Sequence, residues 1–485
     1  MTIDQATRIL RRLERMERQW IRPVLERDPQ PLTVSAWEAP GEPVPFDVAV
    51  RQEMAPVHRD EAWGRPWGTT WVRLGGTVPS RWADLGPRHV PHLVLDLGFT
   101  PSEPGFQAEG TVLRSDGTVV RGLEPLNHRM RPEVGADGSF EYWVEAASNP
   151  DVMQGEWTTA GPLGDPATAG EQPLYRWGAM ELRLRDMEVE GLLADLDILR
   201  GLLAVLDPAR PRHDAVVLAI SRALDVLDPD DVAAGVPAAR AVLRPVLASP
   251  ADASAHTVHA VGHAHIDSAW LWPLRETRRK VARSFSNALD LMDQDAEVTF
   301  AASSAQQYLW LREDHPDLFA RIRERVAQGR WIPVGGQWVE SDPYMVGGEA
   351  FIRQFLEGMR FFREEFGTDT EGIWLPDSFG YSANLPGIAR HMGRTWMLTQ
   401  KLSWNDTNTF PHHTFWWEGI DGTRLFTHFP PVDTYNSELT PQEMHRAESS
   451  LRQGGRASVS LAPFGWGDGG GGPTREQAER AHRQA

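Results

Sequence analysis

The chain has no cysteine. That excludes a disulfide framework, thiolate nucleophiles and sulfur ligands, so any metal site must be built from His, Asp and Glu. No apolar run approaches the length of a membrane span, and residues 1–8 contain no apolar signal core. Cationic residues are scarce: Lys+Arg 49 against Asp+Glu 67 gives a net charge of −18. This balance argues against nucleic acid and against an anionic membrane surface as partners. It favours a neutral substrate, with the cytoplasm as the default compartment, and leaves room for a homo-oligomer. What the chain does have is length and tryptophan. Its 485 residues suffice for two or three domains with sizeable cores, and 41% hydrophobic with 24% charged residues is a globular composition. Most of the 20 tryptophans are expected in cores, with a minority near polar motifs as sugar platforms.

Four regions follow from the pattern. Residues 1–68 read as an Arg-rich amphipathic helix over 4–22, with Leu10, Leu13 and Trp20 on one side, then a proline-rich, acidic draped loop. Residues 69–185 show short alternating strands, with a hairpin at Gly110–Val120 turning on Asp116-Gly117, as in a β-sandwich or jelly roll. Residues 186–248 switch to leucines at helical spacing, a helical linker punctuated by Asp207-Pro208 and Asp228-Pro229. Residues 257–485 alternate strand and helix. Strand-like pieces fall at 257–262, 297–302, 331–334, 372–375, 395–399, 424–429 and 457–462, with helices such as 276–293, 304–313, 316–328 and 347–366 between them. Such alternation predicts an α/β fold of parallel strands with crossover helices, whose active site lies past the strand ends. The last residues, 474–485, read as the opening of a polar helix without a closing element, as in a catalytic domain incomplete at its C-terminus.

The most telling motif is His263-Ala-His265-Ile-Asp267-Ser-Ala-Trp270-Leu-Trp272, after the strand-like 257–262. Continued extended backbone would put His263, His265 and Asp267 on one face. Two imidazoles and a carboxylate suit a divalent transition metal such as zinc, and the flat faces of Trp270 and Trp272 suit a sugar ring. A structural His pair is the plainer alternative, which the Asp at the same step and the tryptophans disfavour. In Gly372-Ile-Trp-Leu-Pro-Asp377-Ser-Phe-Gly-Tyr381, Pro376 ends the strand and puts Asp377 at its carboxyl end. Asp377 there suits either a turn cap or a metal-binding nucleophile; Asn384 and Pro386 fit the start of the next helix. In Phe464-Gly-Trp-Gly-Asp468-Gly-Gly-Gly-Gly-Pro473 the glycines permit positive φ and close backbone approach. The loop is either a flexible turn or a support for Asp468 as an acid of raised pKa. It lacks the pattern of a phosphate loop. Gly335-Gly-Gln-Trp-Val-Glu340-Ser-Asp342 offers two carboxylates for sugar hydroxyls or for holding loops. Tyr435, after the strand near 424–429, is placed to line a cleft. His412-His413 reads as a surface pair.

Together these motifs resemble the family 38 glycoside hydrolases, the retaining class II α-mannosidases, in their cytosolic and vacuolar branch with its bacterial relatives. Those proteins share H-x-H-x-D-x-x-W-L-W, L-P-D-x-F-G-Y-S and G-x-G-D-G-G-G-G-P, found here in that order at 263–272, 375–382 and 465–473. The resemblance covers about 60–485 and is strongest from 257. It implies an irregular (β/α)7-type barrel after the β-sandwich, one zinc (or cobalt) ion per chain on His265, Asp267 and Asp377, and a mannose-containing oligosaccharide as substrate. It makes Asp377 the nucleophile, Asp468 the general acid/base, and Trp270 a stacking platform, with Trp272, Glu340, Asp342, Tyr381 and Tyr435 as further substrate contacts and His263 in support. A retaining pair of carboxyl groups stands about 5–5.5 Å apart. The family's remaining zinc-ligand His, its three-helix bundle and its C-terminal β domains lie beyond these motifs. The competing readings are a zinc-dependent carbohydrate deacetylase, in which the metal activates water, and a catalytically inactive carbohydrate-binding fragment.

Overall fold

In the computed structural model, residues 5–100, 104–152, 161–251 and 254–485 are described. Residues 1–4, which include the first position of the anticipated leading helix and part of the segment read for a signal core, lie outside these.

That helix, α1 (Gln5–Met16), continues through a wider turn at Glu17–Ile21. It does not stand alone. Leu13, Met16 and Ile21 are buried in one apolar cluster with α2 (Met187–Val205), α3 (Pro211–Asp225) and α4 (Val232–Leu247). Leu10 and Trp20 pack at its margin. A surface helix needs such a partner, because propensity alone stabilises it little.

The β domain has two large sheets, besides a short two-stranded pairing of Ala62–Trp63 with Tyr175–Arg176. One contains β1 (Glu26–Pro31), and the other β2 (Thr33–Glu38), β3 (Gly68–Thr77) and further strands; β4 (His89–Leu95) belongs with β1. β5 (Glu109–Leu113) and β6 (Val119–Leu123) form the Asp116-Gly117 hairpin, in which Asp116 accepts from the Thr118 amide at 2.9 Å and Gly117 has φ +87°. β7 (Ser139–Ser148) lies between β3 and β5, and β8 (Met180–Asp186) between β1 and β4. Alternate residues of both sheets, such as Leu93, Leu95, Leu182 and Leu184 against Val72, Leu74, Tyr142 and Val144, fill the interior. The draped-loop reading of 31–68 is corrected at its start, where residues 33–38 form β2. β2 pairs along β3 from Thr33↔Gly75 to Glu38↔Thr70, and β1 pairs with β8. β1 is an edge strand, where Pro29 and Pro31 remove no central ladder bond. Proline density therefore masked a strand.

All seven strand-like pieces after 257 are strands: β9 (Thr257–His263), β10 (Phe300–Ala302), β11 (Trp331–Pro333), β12 (Gly372–Leu375), β13 (Trp396–Thr399), β15 (Arg424–His428) and β16 (Val459–Phe464). The unanticipated β14 (Thr414–Glu418) forms an antiparallel edge beside β15. The order is β11-β10-β9-β16 in one sheet and β12-β13-β15-β14 in the other, and the pairings other than β14–β15 are parallel. The two sheets face one interior: Val261, Ala301, Val334, Trp374 and Leu398 form a single buried cluster, with Leu461 and Trp396 against it. Across one seam His428 Nε2 accepts from the Leu461 amide at 3.2 Å. The result is an irregular α/β barrel. Its helix α5 (Leu274–Gln294) packs its apolar face on β10 and β11 through Phe285, Phe300 and Trp331.

Candidate active site

Because these strands run parallel, their carboxyl ends share one rim. His265 and Asp267 follow β9, Glu340 follows β11, Asp377 follows β12, Tyr435 follows β15 and Asp468 follows β16. The strand β9 ends at His263, so His265 and Asp267 reach the rim on irregular backbone rather than by strand alternation. His263 does not join them. It is buried, its Nδ1 lies 2.8 Å from the Ala301 carbonyl oxygen, and Trp374 Nε1 donates to its Nε2 at 3.4 Å. Burial pulls its pKa down to about 4, so it is a neutral core residue.

His265 is surrounded by carboxylates. Its Nε2 is 3.6 Å from Asp267 Oδ2 and 3.4 Å from Asp377 Oδ2, and its Nδ1 is 3.1 Å from Glu340 Oε2. Neither ring nitrogen is aligned for a hydrogen bond, although both are buried. Burial opposes protonation of this ring, but Glu340, Asp267 and Asp377 outweigh it and hold the pKa well above the ordinary histidine value. The cluster therefore calls for positive charge. The donor atoms of His265, Asp267 and Asp377 all lie within 4.8 Å of one another. Ligands at about 2.0–2.2 Å from a tetrahedral ion stand roughly 3.3–3.6 Å apart, which is the spacing of His265 Nε2 from each of the two carboxylates. The three residues fit a divalent cation, and Glu340 sits where an outer carboxylate would orient the imidazole.

The two candidate catalytic carboxyl groups occupy opposite environments. Asp377 Oδ1 receives Lys401 Nζ at 2.6 Å and the Tyr435 hydroxyl at 2.8 Å. Burial would raise its pKa, but His265 and Lys401 overcome this and hold it at about 2. Asp468 has no partner on its buried Oδ1. Burial, against the opposing pull of His265 and with repulsion from Asp267 and Asp377, pushes it up to about 6. Its amide donates to the His265 carbonyl at 2.6 Å, tying the glycine loop to the metal-ligand segment.

The other anticipated residues divide. Glu340 is held by Ser303 Oγ and lines a cavity of about 400 Å³ with His265, Asp267, Asp342 and Asp377. Asp342 also caps its own turn, accepting from the Tyr344 and Met345 amides at 2.8 and 2.9 Å. Tyr435 touches Asp377 and sets its ring edge-on to His265, with centroids 5.4 Å apart. Trp270 is 43% exposed and available as a platform, whereas Trp272 is only 8% exposed. The substrate-contact reading of Trp272 is corrected: its Nε1 donates to Thr277 Oγ1 at 2.9 Å and its ring packs in the core beside Lys280. Tyr381 lines a neighbouring cavity with Ser378 and Phe379. Its hydroxyl is directed to Thr399 Oγ1 (2.5 Å) and the Leu375 carbonyl (3.2 Å), between two strand ends. Asn384 occupies the start of its helix but makes no capping bond; its Oδ1 accepts from Ser382 Oγ. Of the pair read as surface, His413 is buried. Lys401 escaped sequence reasoning. The available signal was its place just past the strand at 395–399, the same position rule that selected Asp377.

Residues 255–485 match the glycosyl hydrolases family 38 N-terminal domain, and residues 30–180 match an alpha-mannosidase jelly roll domain. Over 91% of its length the chain is 38% identical to alpha-mannosidase 2C1 of Homo sapiens, of which it covers 41%. It is 34% identical to alpha-mannosidase G of Dictyostelium discoideum (90% of this chain, 39% of that one) and 32% identical to an alpha-mannosidase of Saccharomyces cerevisiae (89% and 39%). The chain thus spans about two fifths of the length of the curated relatives it matches. With a jelly-roll β domain, an α/β barrel and both family matches in register with them, the chain belongs to the glycosyl hydrolases of family 38.

Proposed function

We propose that this site belongs to a metal-dependent, retaining α-mannosidase that releases terminal α-linked mannose from oligosaccharides in the cytoplasm. The observation that carries this reading is the pairing, on one rim, of a carboxylate held ionised by Lys401 and Tyr435 with a carboxyl group whose buried Oδ1 has no partner. Two carboxyl groups driven to opposite protonation states are what glycoside hydrolysis needs. The names of the relatives supply the sugar.

Asp377, an anion at any pH above about 2, is the nucleophile that takes C1 of the mannose. Asp468, protonated below about 6, gives its proton to the departing glycosidic oxygen. Once ionised, it takes a proton from the water that attacks C1 of the mannosyl–Asp377 ester. Lys401 and Tyr435 then favour departure of Asp377, since their hydrogen bonds strengthen as its negative charge returns. Trp270 offers the exposed face for the ring. His265, Asp267 and Asp377 would hold zinc or cobalt, which when bound supplies Lewis-acid attraction for sugar hydroxyls. No helix among the described residues is long and apolar enough to cross a membrane.

The test is hydrolysis of an aryl α-mannoside by the full-length protein, before and after chelation and with zinc or cobalt returned. Loss on chelation, recovery with metal, and α-mannose as the first product are expected. β-Mannose as the first product would remove Asp377 from the nucleophile role. Acetate release from acetylated sugars without mannoside cleavage would favour the deacetylase.

A further inference from the structure

The loop that carries Asp468 rests on a buried ionic cluster outside the barrel rim. Glu109 at the start of β5 and Glu124 just past β6 belong to the β domain; Glu276, Lys280, Arg283 and Asn287 belong to α5. The five titratable groups are all at most 1% exposed. Glu109 pairs with Lys280 through one oxygen and with Arg283 Nη1 at 2.6 Å through the other. Asn149 Nδ2 links Glu109 to Glu276 at 3.2 Å each. Lys280 Nζ also lies 4.6 Å from the centre of the Trp272 ring, so the ammonium is clamped from two sides.

The glycines of the loop lie directly on this cluster. A Cβ on Gly469 would be 2.5 Å from Lys280 Nζ, and one on Gly471 would be 2.5 Å from Glu124 Cγ. Both residues have positive φ, +84° and +89°. Asn287 joins the layers, accepting from the Gly122 amide at 3.0 Å and donating to the Gly471 carbonyl at 3.1 Å. From the other side, a Cβ on Gly105 of the β domain would lie 3.2 Å from the Asp468 carbonyl oxygen, and Phe106 sets its ring edge against Trp270 at 5.2 Å. Asp468 itself sits at φ +54°, a left-handed conformation that Asp tolerates better than most side chains. Two of its neighbours in the loop, Gly469 and Gly471, pack against Lys280 and Glu124.

We propose that Lys280, anchored by Glu109, and Glu124 are positioning residues for Asp468, so that the β domain completes the acid/base half of the site. This rests on the mannosidase reading. It commits the β domain to a catalytic consequence: without the Glu109–Lys280 floor the Asp468 carboxyl group moves off the glycosidic oxygen, while Asp377 and the metal ligands stay in place.

Leaving groups separate the two halves. A 2,4-dinitrophenyl α-mannoside departs without a proton, whereas a methyl α-mannoside needs one. In the full-length, metal-loaded protein, Lys280→Met is expected to lower kcat/KM on the methyl glycoside about 100-fold and on the dinitrophenyl glycoside less than about threefold, since misplacement of a catalytic group by 1 Å costs that order. Metal content is expected to match wild type. Gly469→Ala leaves the buried charges untouched but drives the loop off Lys280, and it is expected to show the same selectivity if Lys280→Met does not fold. Equal losses on both substrates, or no loss in a folded variant, would overturn the inference. A wild type inert toward both glycosides would instead sink the mannosidase reading, and this inference with it.

Discussion

Behind β11-β10-β9-β16 lie α5 and the β domain, and two candidate site groups on that side are enclosed: His265 is 3% exposed and Asp468 Oδ1 is buried. Around β12-β13-β15-β14 the surface is open, with Phe379, Trp404 and Trp416 at 80%, 72% and 63% exposure. The open side nevertheless holds Asp377, fixed by Lys401, whose Nζ also lies 3.1 Å from the centre of the Trp404 ring. The difference teaches that rigidity in this site comes from two sources. On the enclosed side it is burial against another domain; on the open side it is a short ionic contact between neighbouring strand ends. A second cavity of about 470 Å³, lined by Trp404, Trp417 and Phe410 among others, shares Ser378, Phe379 and Gly380 with the first, so the open side is also where a longer sugar chain would meet aromatic surface.

The sharpest way to break this comparison is to remove the proposed nucleophile of the open side. Asp377→Asn should lower kcat on an aryl α-mannoside by on the order of 10⁴-fold or more, with Tm near wild type in the absence of metal. Retained turnover would move the chemistry elsewhere. Next in size is the tryptophan pair. Trp272→Ala, in the enclosed core, should cost about 3–5 kcal/mol of stability, read as a lowered Tm. Trp270→Ala should leave Tm within a few degrees and raise KM. The reverse pattern would exchange their assignments.

Lys401→Met tests the ionic contact. A hydrogen bond to a charged group contributes about 1.5–3 kcal/mol, so a 10- to 100-fold fall in kcat/KM is expected. The sign for pH follows from the need of the proposed nucleophile to be ionised. Activity is lost as pH falls through the pKa of Asp377, and without Lys401 that pKa rises from about 2, so the acid limb of the pH–rate profile should move upward. The smallest effect concerns the enclosed side. Burial first, then repulsion from Glu109, raises the Glu124 carboxyl well above its ordinary value. Its contribution to stability is therefore full below its unfolded pKa of about 4.3 and is lost as pH rises through the folded value. Glu124→Gln should gain on wild type in Tm as pH is raised from 5 to 8; a gap independent of pH would show that Glu124 is ionised in the fold.

Much of the barrel was legible because strand ends announce themselves locally. Pro376 stops a ladder, glycines mark the Asp468 loop, and apolar runs of the right length alternate with helical periods. The strands at 257–263, 372–375 and 396–399 all stood near their anticipated places. β1 was hidden because prolines tolerated at an edge look like loop, and β14 because its run of Phe415, Trp416 and Trp417 is an antiparallel addition to an otherwise parallel pattern.

By itself the sequence determined which elements form and which chemistry-bearing residues stand at their ends, since backbone sterics and side-chain periodicity act over a few residues. Only the tertiary structure decided their company. Tyr435 meets Asp377 across 58 positions and Lys280 meets Glu109 across 171. His263 and His265, two residues apart, become a neutral core ring and a ring among three carboxylates. Desolvation and Coulomb energy depend on distance in space and on the depth of burial, and neither is written in the spacing along the chain.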